Sequence, residues 1–378
     1  MKKRVVIFIT AYIPMISGAE VAVKEITDKT KNCEFDLYCA RLDKNLLKKE
    51  KIGNVLVRRI GIGHAIDKFL LPFFGFFNAL KEHQKNPYNL VWGIIASHGS
   101  LAALFFKLKT KTPFLLTLQE GDSLEHINKR TRFFKPLFRK IFQEANYIQA
   151  ISHYLGNWAK EQGAKCQIEI VPNGVDNKLF SQEFSDDELD NFKKELNIKK
   201  EEKVIITTSR LVKKNAIDDV IKAMGELKTD FELKFLIIGK GAMESSLKKL
   251  TKDLGLENQV LFLDYKLQKD LPKYLKISDI FIRPSLSEGF GNSFIEAMAA
   301  GLPVIAAPVG GIVDFVRDGE TGLFCQTNNP ESIAEKIRLL LSDKDLCQKL
   351  AANGKELAKE KYDWHLISEQ MSNIFAKL

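Results

Sequence analysis

The chain has 378 residues, room for two domains or three at about 100 to 200 residues each, and with 45% hydrophobic and 28% charged residues it has the apolar mass for two cores. Only 11 Pro and 23 Gly exclude collagen-like, mucin-like and disordered chains, and five scattered Cys (33, 39, 166, 325 and 347) without a C-x2-C pair suggest neither a disulfide framework nor a zinc ribbon and fit a reducing compartment. The net charge is 57 − 48 = +9, but residues 1–172 hold 27 basic and 15 acidic residues (+12) and the rest 30 against 33 (−3), so the front half is expected to meet something anionic: lipid headgroups, nucleic acid or phosphorylated substrates.

The chain opens on Lys2-Lys3-Arg4, then Val5 to Ile9, with Ser17-Gly18-Ala19 downstream, the order of a signal peptide. The apolar run is too short for one and Pro14 breaks it, so it reads as a buried first strand. Further front-half strands are expected at 36–39, 55–59, 90–95, 114–118, 147–150 and 168–171, with helices at 20–30, 68–85, 101–109, 129–144 and 152–162. Residues 86–106 carry no charge over 21 positions, near the length of a membrane span, but contain Pro87, Asn89, Gly93 and His98. They read as strand, loop and helix.

A polar, acidic junction at 181–197 forms a helix with a solvated face, and the pattern restarts. Strands are expected at 203–209, 234–238, 260–262, 280–283, 304–306 and 322–324, and helices at 216–226, 242–254, 269–277, 293–300 and 330–341. Short apolar runs alternating with amphipathic ones predict α/β architecture: two Rossmann-like, doubly wound parallel sheets facing across a cleft, with function in the loops after the strands.

Those loops are rich in glycine. Ser17-Gly18-Ala19-Glu20 opens a helix after the first strand, and Ser285-Leu286-Ser287-Glu288-Gly289-Phe290-Gly291-Asn292-Ser293 precedes a helix through Glu296. Glycines before a helix N-terminus let backbone N–H groups approach an anion. Ile238-Gly239-Lys240-Gly241 stops short of G-x-G-x-x-G, which disfavours a dinucleotide dehydrogenase.

At SLSEGFGNSFIEAMAAGLPVIAAPVGG (285–311) the chain resembles the family 4 retaining glycosyltransferases of GT-B fold. Further matches are Ser17 to Glu20, Ser152 before a helix, Val171-Pro172-Asn173-Gly174-Val175-Asp176 with Phe180, Ser209-Arg210-Leu211-Val212, Gly239-Lys240-Gly241, and Tyr362-Asp363-Trp364. The likeness covers almost the whole chain. It implies a front, acceptor domain at 1–172 with a crossover helix at 364–378 packing back onto it, and a nucleotide-sugar domain at 173–363. It also implies transfer of a hexose-type sugar from a nucleoside diphosphate sugar, with retention and with neither metal nor cofactor.

No Asp-x-Asp metal motif is evident, so other groups must hold the charge that develops on the departing diphosphate. Arg210 and Lys214 at a strand end can do so, with the Gly18 N–H and the helix start at Ser293 adding dipoles. The resemblance places the family's phosphate lysine one position later, where Asn215 stands, and Lys213 is a possible substitute. It gives Glu296 to the ribose hydroxyls and Glu288 to hydroxyls of the donor sugar, within a donor site of Gly239, Gly241, Gly289, Phe290, Gly291, Asn292 and Ser293. Ser293-x-x-Glu296 also has the form of a capping box.

The acceptor side departs from the pattern. Where many relatives have T-x-H, this chain has Thr117-Leu118-Gln119-Glu120, and Gln119 cannot titrate near neutrality. In the retaining front-face transfer the resemblance implies, the leaving phosphate can take the acceptor proton, so Gln119 suffices. His98 and His126 are alternative imidazoles.

Residues 129–142 contain six bases and no acid. With Phe74, Phe76 and Phe77 they read either as a basic amphipathic surface able to lie on anionic lipid or as a helix with its Phe side chains packed inward. No nucleic-acid-binding fold or stacking motif accompanies the charge. The reading adopted is a cytoplasmic hexosyltransferase, peripheral on the inner face of the membrane, acting on a glycan or lipid-linked acceptor in cell envelope polysaccharide synthesis. Its alternatives are a catalytically silent nucleotide-sugar-binding protein and a nucleotide-sugar epimerase of the same fold.

Overall fold

A computed structural model describes residues 2–15 and 17–378. Two compact units divide the chain, Met1–Asn173 with Trp364–Leu378, and Gly174–Asp363.

The first unit is an eight-stranded sheet. Its strands are β1 (Lys3–Phe8), β2 (Cys33–Ala40), β3 (Lys49–Ile52), β4 (Val55–Ile60), β5 (Leu90–Ile94), β6 (Phe114–Leu118), β7 (Tyr147–Ala150) and β8 (Gln167–Ile170), in the order β3-β4-β2-β1-β5-β6-β7-β8. All pairs are parallel except β3 with β4. The central strands read VVIF, LVWGI and FLLTL because helices cover both faces, which buries every position. The apparent export signal is thus the middle of a sheet, and the uncharged stretch is β5 followed by a helix at His98–Thr110. No helix among the described residues is long and apolar enough to cross a membrane.

The last helix, Trp364–Lys377, packs into this first unit: Trp364, Ile367, Met371, Ile374 and Phe375 join the core of β1, β2 and β5. Phe375 meets Trp92 edge-on at 5.0 Å between ring centres.

The helix expected at 68–85 is interrupted. Pro72 has no N–H to donate, and Leu71–Gly75 forms a π-helical turn between α-helices at Asp67–Leu70 and Phe76–Lys85. This turns Leu71, Pro72 and Gly75 inward and leaves Phe69, Phe73, Phe74 and Phe77 exposed.

The second unit is a six-stranded parallel sheet of β9 (Lys203–Thr208), β10 (Leu233–Ile238), β11 (Val260–Leu263), β12 (Ile280–Arg283), β13 (Val304–Ala306) and β14 (Leu323–Phe324). Their order is β11-β10-β9-β12-β13-β14, so the direction of winding reverses between β9 and β12. In the first unit the reversal falls between β1 and β5. Each reversal opens the sheet's carboxyl edge to a ligand.

Candidate active site

Two loops flank the reversal in the second unit: residues after β9, carrying Arg210, and residues after β12, carrying Glu288. The glycines at 239 and 241 let a third loop lie against the first. A side chain at Gly239 would put its Cβ 1.9 Å from the Ser209 carbonyl oxygen, and one at Gly241 would stand 2.3 Å from that of Leu211. The Gly239 N–H already donates to the Leu263 carbonyl. These two positions therefore build the Arg210 loop, and Gly239 has no N–H left over for an anion. The Leu211 N–H closes the contact on the Lys240 carbonyl at 2.9 Å.

Arg210 itself is exposed at the strand end. The following turn, Lys213–Asn215, sorts the three candidates for a phosphate partner. Asn215 is buried and donates to the Arg210 carbonyl at 2.6 Å, so it shapes the turn. Lys213 forms an ion pair with Asp218 at 2.6 Å. Lys214 is half-buried, and its carbonyl accepts from the Leu286 N–H at 2.7 Å, tying the Arg210 loop to the Glu288 loop.

The second loop is organised by Arg283, at the end of β12. Its guanidinium is buried among three acceptors: Nε donates to Ser285 Oγ at 3.1 Å, Nη1 to Ser293 Oγ at 2.8 Å and Nη2 to Glu288 Oε2 at 2.7 Å. The group also lies 4.8 Å from the Phe294 ring centre. Burial lowers the guanidinium's proton affinity, while Glu288 and Glu296 pull it the other way. The other Glu288 oxygen accepts the Gly289 N–H at 3.2 Å. Its backbone is fixed by Gly311, whose N–H donates to the Glu288 carbonyl at 3.1 Å, a contact that a Cβ at Gly310 would block at 1.8 Å.

The capping box expected at Ser293-x-x-Glu296 does not form. Gly291 caps the helix, which runs Asn292–Ala300, so Ser293 stands inside the first turn and its hydroxyl serves Arg283. Glu296 projects from that turn and accepts from Gln268 Nε2 at 2.8 Å. Burial raises its carboxyl above the ordinary range, opposed by the Gln268 hydrogen bond and by Arg283. Phe290 turns its ring inward against Phe315 and Tyr362, so only its main chain can meet a ligand. Among the described residues, no group of three or more His, Cys, Asp or Glu is gathered as a metal site would require.

Sequence reasoning missed Arg283 and Gln268. The first had a signal: a lone cation closing the apolar strand IFIR can be buried only if partners await it. Nothing in the sequence marked Gln268.

The front unit's candidates lie at the carboxyl edge of its own sheet. Gly18 begins the helix Gly18–Lys29, whose cap Ser17 donates through N–H (2.8 Å) and hydroxyl to Glu20. Thr10 and Ser97, from the loops after β1 and β5, share a hydrogen bond at 2.9 Å across the reversal. His98 opens its helix with its ring edge-on to Phe69, and burial followed by the charges of Lys68 and Arg130 keeps the imidazole neutral more readily than usual. Gln119 accepts from Asn173 Nδ2 at 3.2 Å. Glu120 is buried: Oε1 accepts the Ala96 N–H at 2.7 Å, and Oε2 has no partner. Burial pushes its carboxyl up to about 7. His126 lies on the exposed surface of the helix Leu124–Thr131.

Two doubly wound units, with carboxylates and cations collected at the reversal of the second, define the GT-B glycosyltransferase class. Residues 16–179 match the model for Glycosyltransferase Family 4, and residues 188–357 that for Glycosyl transferases group 1. The chain belongs to this family.

An uncharacterized glycosyltransferase of Methanocaldococcus jannaschii is 31% identical over 209 residues, 55% of this chain and 54% of that protein. The N-acetyl-alpha-D-glucosaminyl L-malate synthase of Bacillus anthracis is 29% identical over 240 residues, 63% of this chain and 61% of that one. The chain thus spans just over half the length of these two relatives. Among solved structures, HepE of Anabaena, in complex with UDP and glucose, superimposes with a TM-score of 0.82 at 19% identity, covering 100% of both chains. That likeness is one of fold.

Proposed function

We propose that the protein transfers a hexose-type residue from a nucleoside diphosphate sugar to a glycan or lipid-linked acceptor, with retention at the anomeric carbon. The observation that carries this reading is the gathering of Arg210, Lys214, Glu288 and Glu296 at the single reversal point of the second sheet. Glu296 would accept from the ribose hydroxyls and Glu288 from those of the sugar, while Arg210 and Lys214 would offset the charge growing on the diphosphate. No metal is needed in this scheme. The acceptor proton passes to the leaving phosphate, so the place of Gln119 requires only a hydrogen-bonding group.

A thermal-shift screen against uridine, guanosine and adenosine diphosphate sugars tests the donor part. One of the three should raise the melting temperature, and stabilisation by none would contradict the reading. Release of nucleotide by slow hydrolysis of that donor separates an enzyme from a silent binding protein, the reading favoured by the turned-in Asn215 and the untitratable Gln119.

The acceptor would be met at the inner face of a membrane. Phe138, Ile141 and Phe142 of the basic segment pack inward, but Phe133 is 86% exposed and Phe134 follows it. Phe69, Phe73, Phe74 and Phe77 add a second exposed row, while Phe76 is half-buried. Lys68 and Arg130, one from each segment, both lie near enough to His98 to depress its protonation. Aromatic side chains rimmed by bases beside the acceptor loops suit an anionic lipid surface. Sedimentation with anionic vesicles, lost as salt is raised, is the expected result; equal binding to neutral vesicles would contradict it.

A further inference from the structure

Arg283 has no role in the transfer as outlined above, yet it is a buried charge, only 6% exposed. A guanidinium is costly to bury, and the cost is tolerated only where every donor has a well-placed acceptor. Here the three acceptors are Ser285, Glu288 and Ser293, all within the loop and first helical turn that follow β12. None belongs to a distant part of the core. A purely structural ion pair would more economically be an apolar pair, since replacing a buried salt bridge by packed hydrophobic side chains is commonly neutral or stabilising. What an apolar pair cannot do is hold a carboxylate half-open and fixed in direction. Glu288 has that state: Nη2 of Arg283 takes Oε2, the neighbouring Gly289 N–H takes Oε1 from one side, and the backbone is clamped at the Gly311 N–H.

We propose that Arg283 is a specificity-determining positioning residue: its buried guanidinium aims the Glu288 carboxylate so that the site reads the hydroxyl pattern of the donor sugar as distinct from the nucleotide. This rests on the assignment of Glu288 to the sugar. Nucleotide recognition has further supports in Arg210, Lys214 and Glu296; Glu296 is held by Gln268 from another loop, and the positive charge of Arg283 that bears on it is kept by a lysine. Loss of the guanidinium should therefore remove the sugar's share of binding and leave the nucleotide's share nearly intact.

The test compares the dissociation constants of UDP with UDP-glucose, and of GDP with GDP-mannose, in the unsubstituted protein and in Arg283→Lys. Lysine keeps the charge but cannot serve three acceptors in one plane. The ratio of nucleotide-sugar to nucleotide affinity should fall at least tenfold, with nucleotide affinity changed by less than about threefold. Discrimination between UDP-glucose and UDP-galactose, or between GDP-mannose and GDP-glucose, should narrow by a similar factor in kcat/KM. Glu288→Gln should do the same, and the double variant should be no worse than either single one.

Should Arg283→Lys not fold, the pair Ser285→Ala and Ser293→Ala loosens the guanidinium while keeping its charge, and an intermediate loss of the same ratio is expected. Equal loss of nucleotide and nucleotide-sugar affinity, or no loss of either, would overturn the proposal. Failure of the unsubstituted protein to bind any of the four ligands would instead overturn the donor reading beneath it.

Discussion

The loops after β12 and those after β5 and β6 occupy equivalent places in their sheets, and they are built in opposite ways. The Arg283 guanidinium has Glu288 as its partner, and the loops are locked to one another through Leu286 and Lys214. In the front unit the imidazole of His98, beside the reversal, is biased towards neutrality, Gln119 is engaged by Asn173, and one oxygen of Glu120 has no partner. The contrast teaches where the chemistry is carried. A site that must stabilise charge in a transition state gains from donors fixed beforehand, whereas a site that only orients a hydroxyl can be simpler and can vary.

The greatest loss of activity is expected in the loop after β9. Arg210→Ala should lower turnover by about 100-fold, roughly 3 kcal/mol of barrier, with a melting temperature close to that of the parent, because the side chain is exposed. Turnover unchanged by the substitution would remove the leaving-group role from this loop and with it the asymmetry between the two units.

A smaller effect sharpens the front half of the contrast. In the folded chain the Glu120 carboxyl keeps its proton up to about pH 7, against 4.5 when unperturbed. Its contribution to stability is therefore full below about 4.5 and is lost as pH rises through 7. Glu120→Gln still offers the Ala96 N–H an acceptor and never ionises. Melting curves should show the variant more stable than the parent at pH 8, by a shift of roughly 3 °C or more, and equal to it near pH 4.5. Smallest of all is Gln119→His, which should leave turnover within about threefold of the parent and folding unchanged, since an orienting group is exchanged for another. A large gain in rate would mean that proton transfer limits this enzyme and that the front unit does more than orient.

Much of this architecture is legible in sequence because parallel strands buried on both faces leave runs such as LVWGI and FLLTL that nothing else explains. The elements that escaped have weaker signatures. The strand β3 is KEKI, three charged residues and one isoleucine on an antiparallel edge, a run too short and too polar to be marked as a strand. The helix Lys344–Lys361 went unread because its inward face is small and sparse, with Leu350, Gly354 and Ala358 at helical spacing.

At the site, the residue types of the Glu288 block were readable but their partnerships were not. Ser293 and Glu296 have the spacing of a capping box, and only the backbone at Gly291 decides that the helix begins before them. Asn215 likewise looks like a lost lysine until the fold shows it turned inward onto the Arg210 carbonyl. Sequence names the groups; which lone pair meets which donor depends on loops brought together from separate strands.

If the block after β12 is a nucleotide-sugar site, a single isosteric change at Glu296 exposes it. Because Glu296 does not cap its helix, Glu296→Gln should leave the melting temperature of the free protein nearly unchanged, with the new amide still able to accept from Gln268. The ribose would fare differently: a carboxylate accepts from two vicinal hydroxyls at once, and an amide offers one acceptor and two donors. Calorimetric titration of the variant with the donor that stabilises the parent should show affinity weakened about ten- to hundredfold, roughly 1.5 to 3 kcal/mol. Unchanged affinity together with a lowered melting temperature would make Glu296 a structural residue and contradict the account.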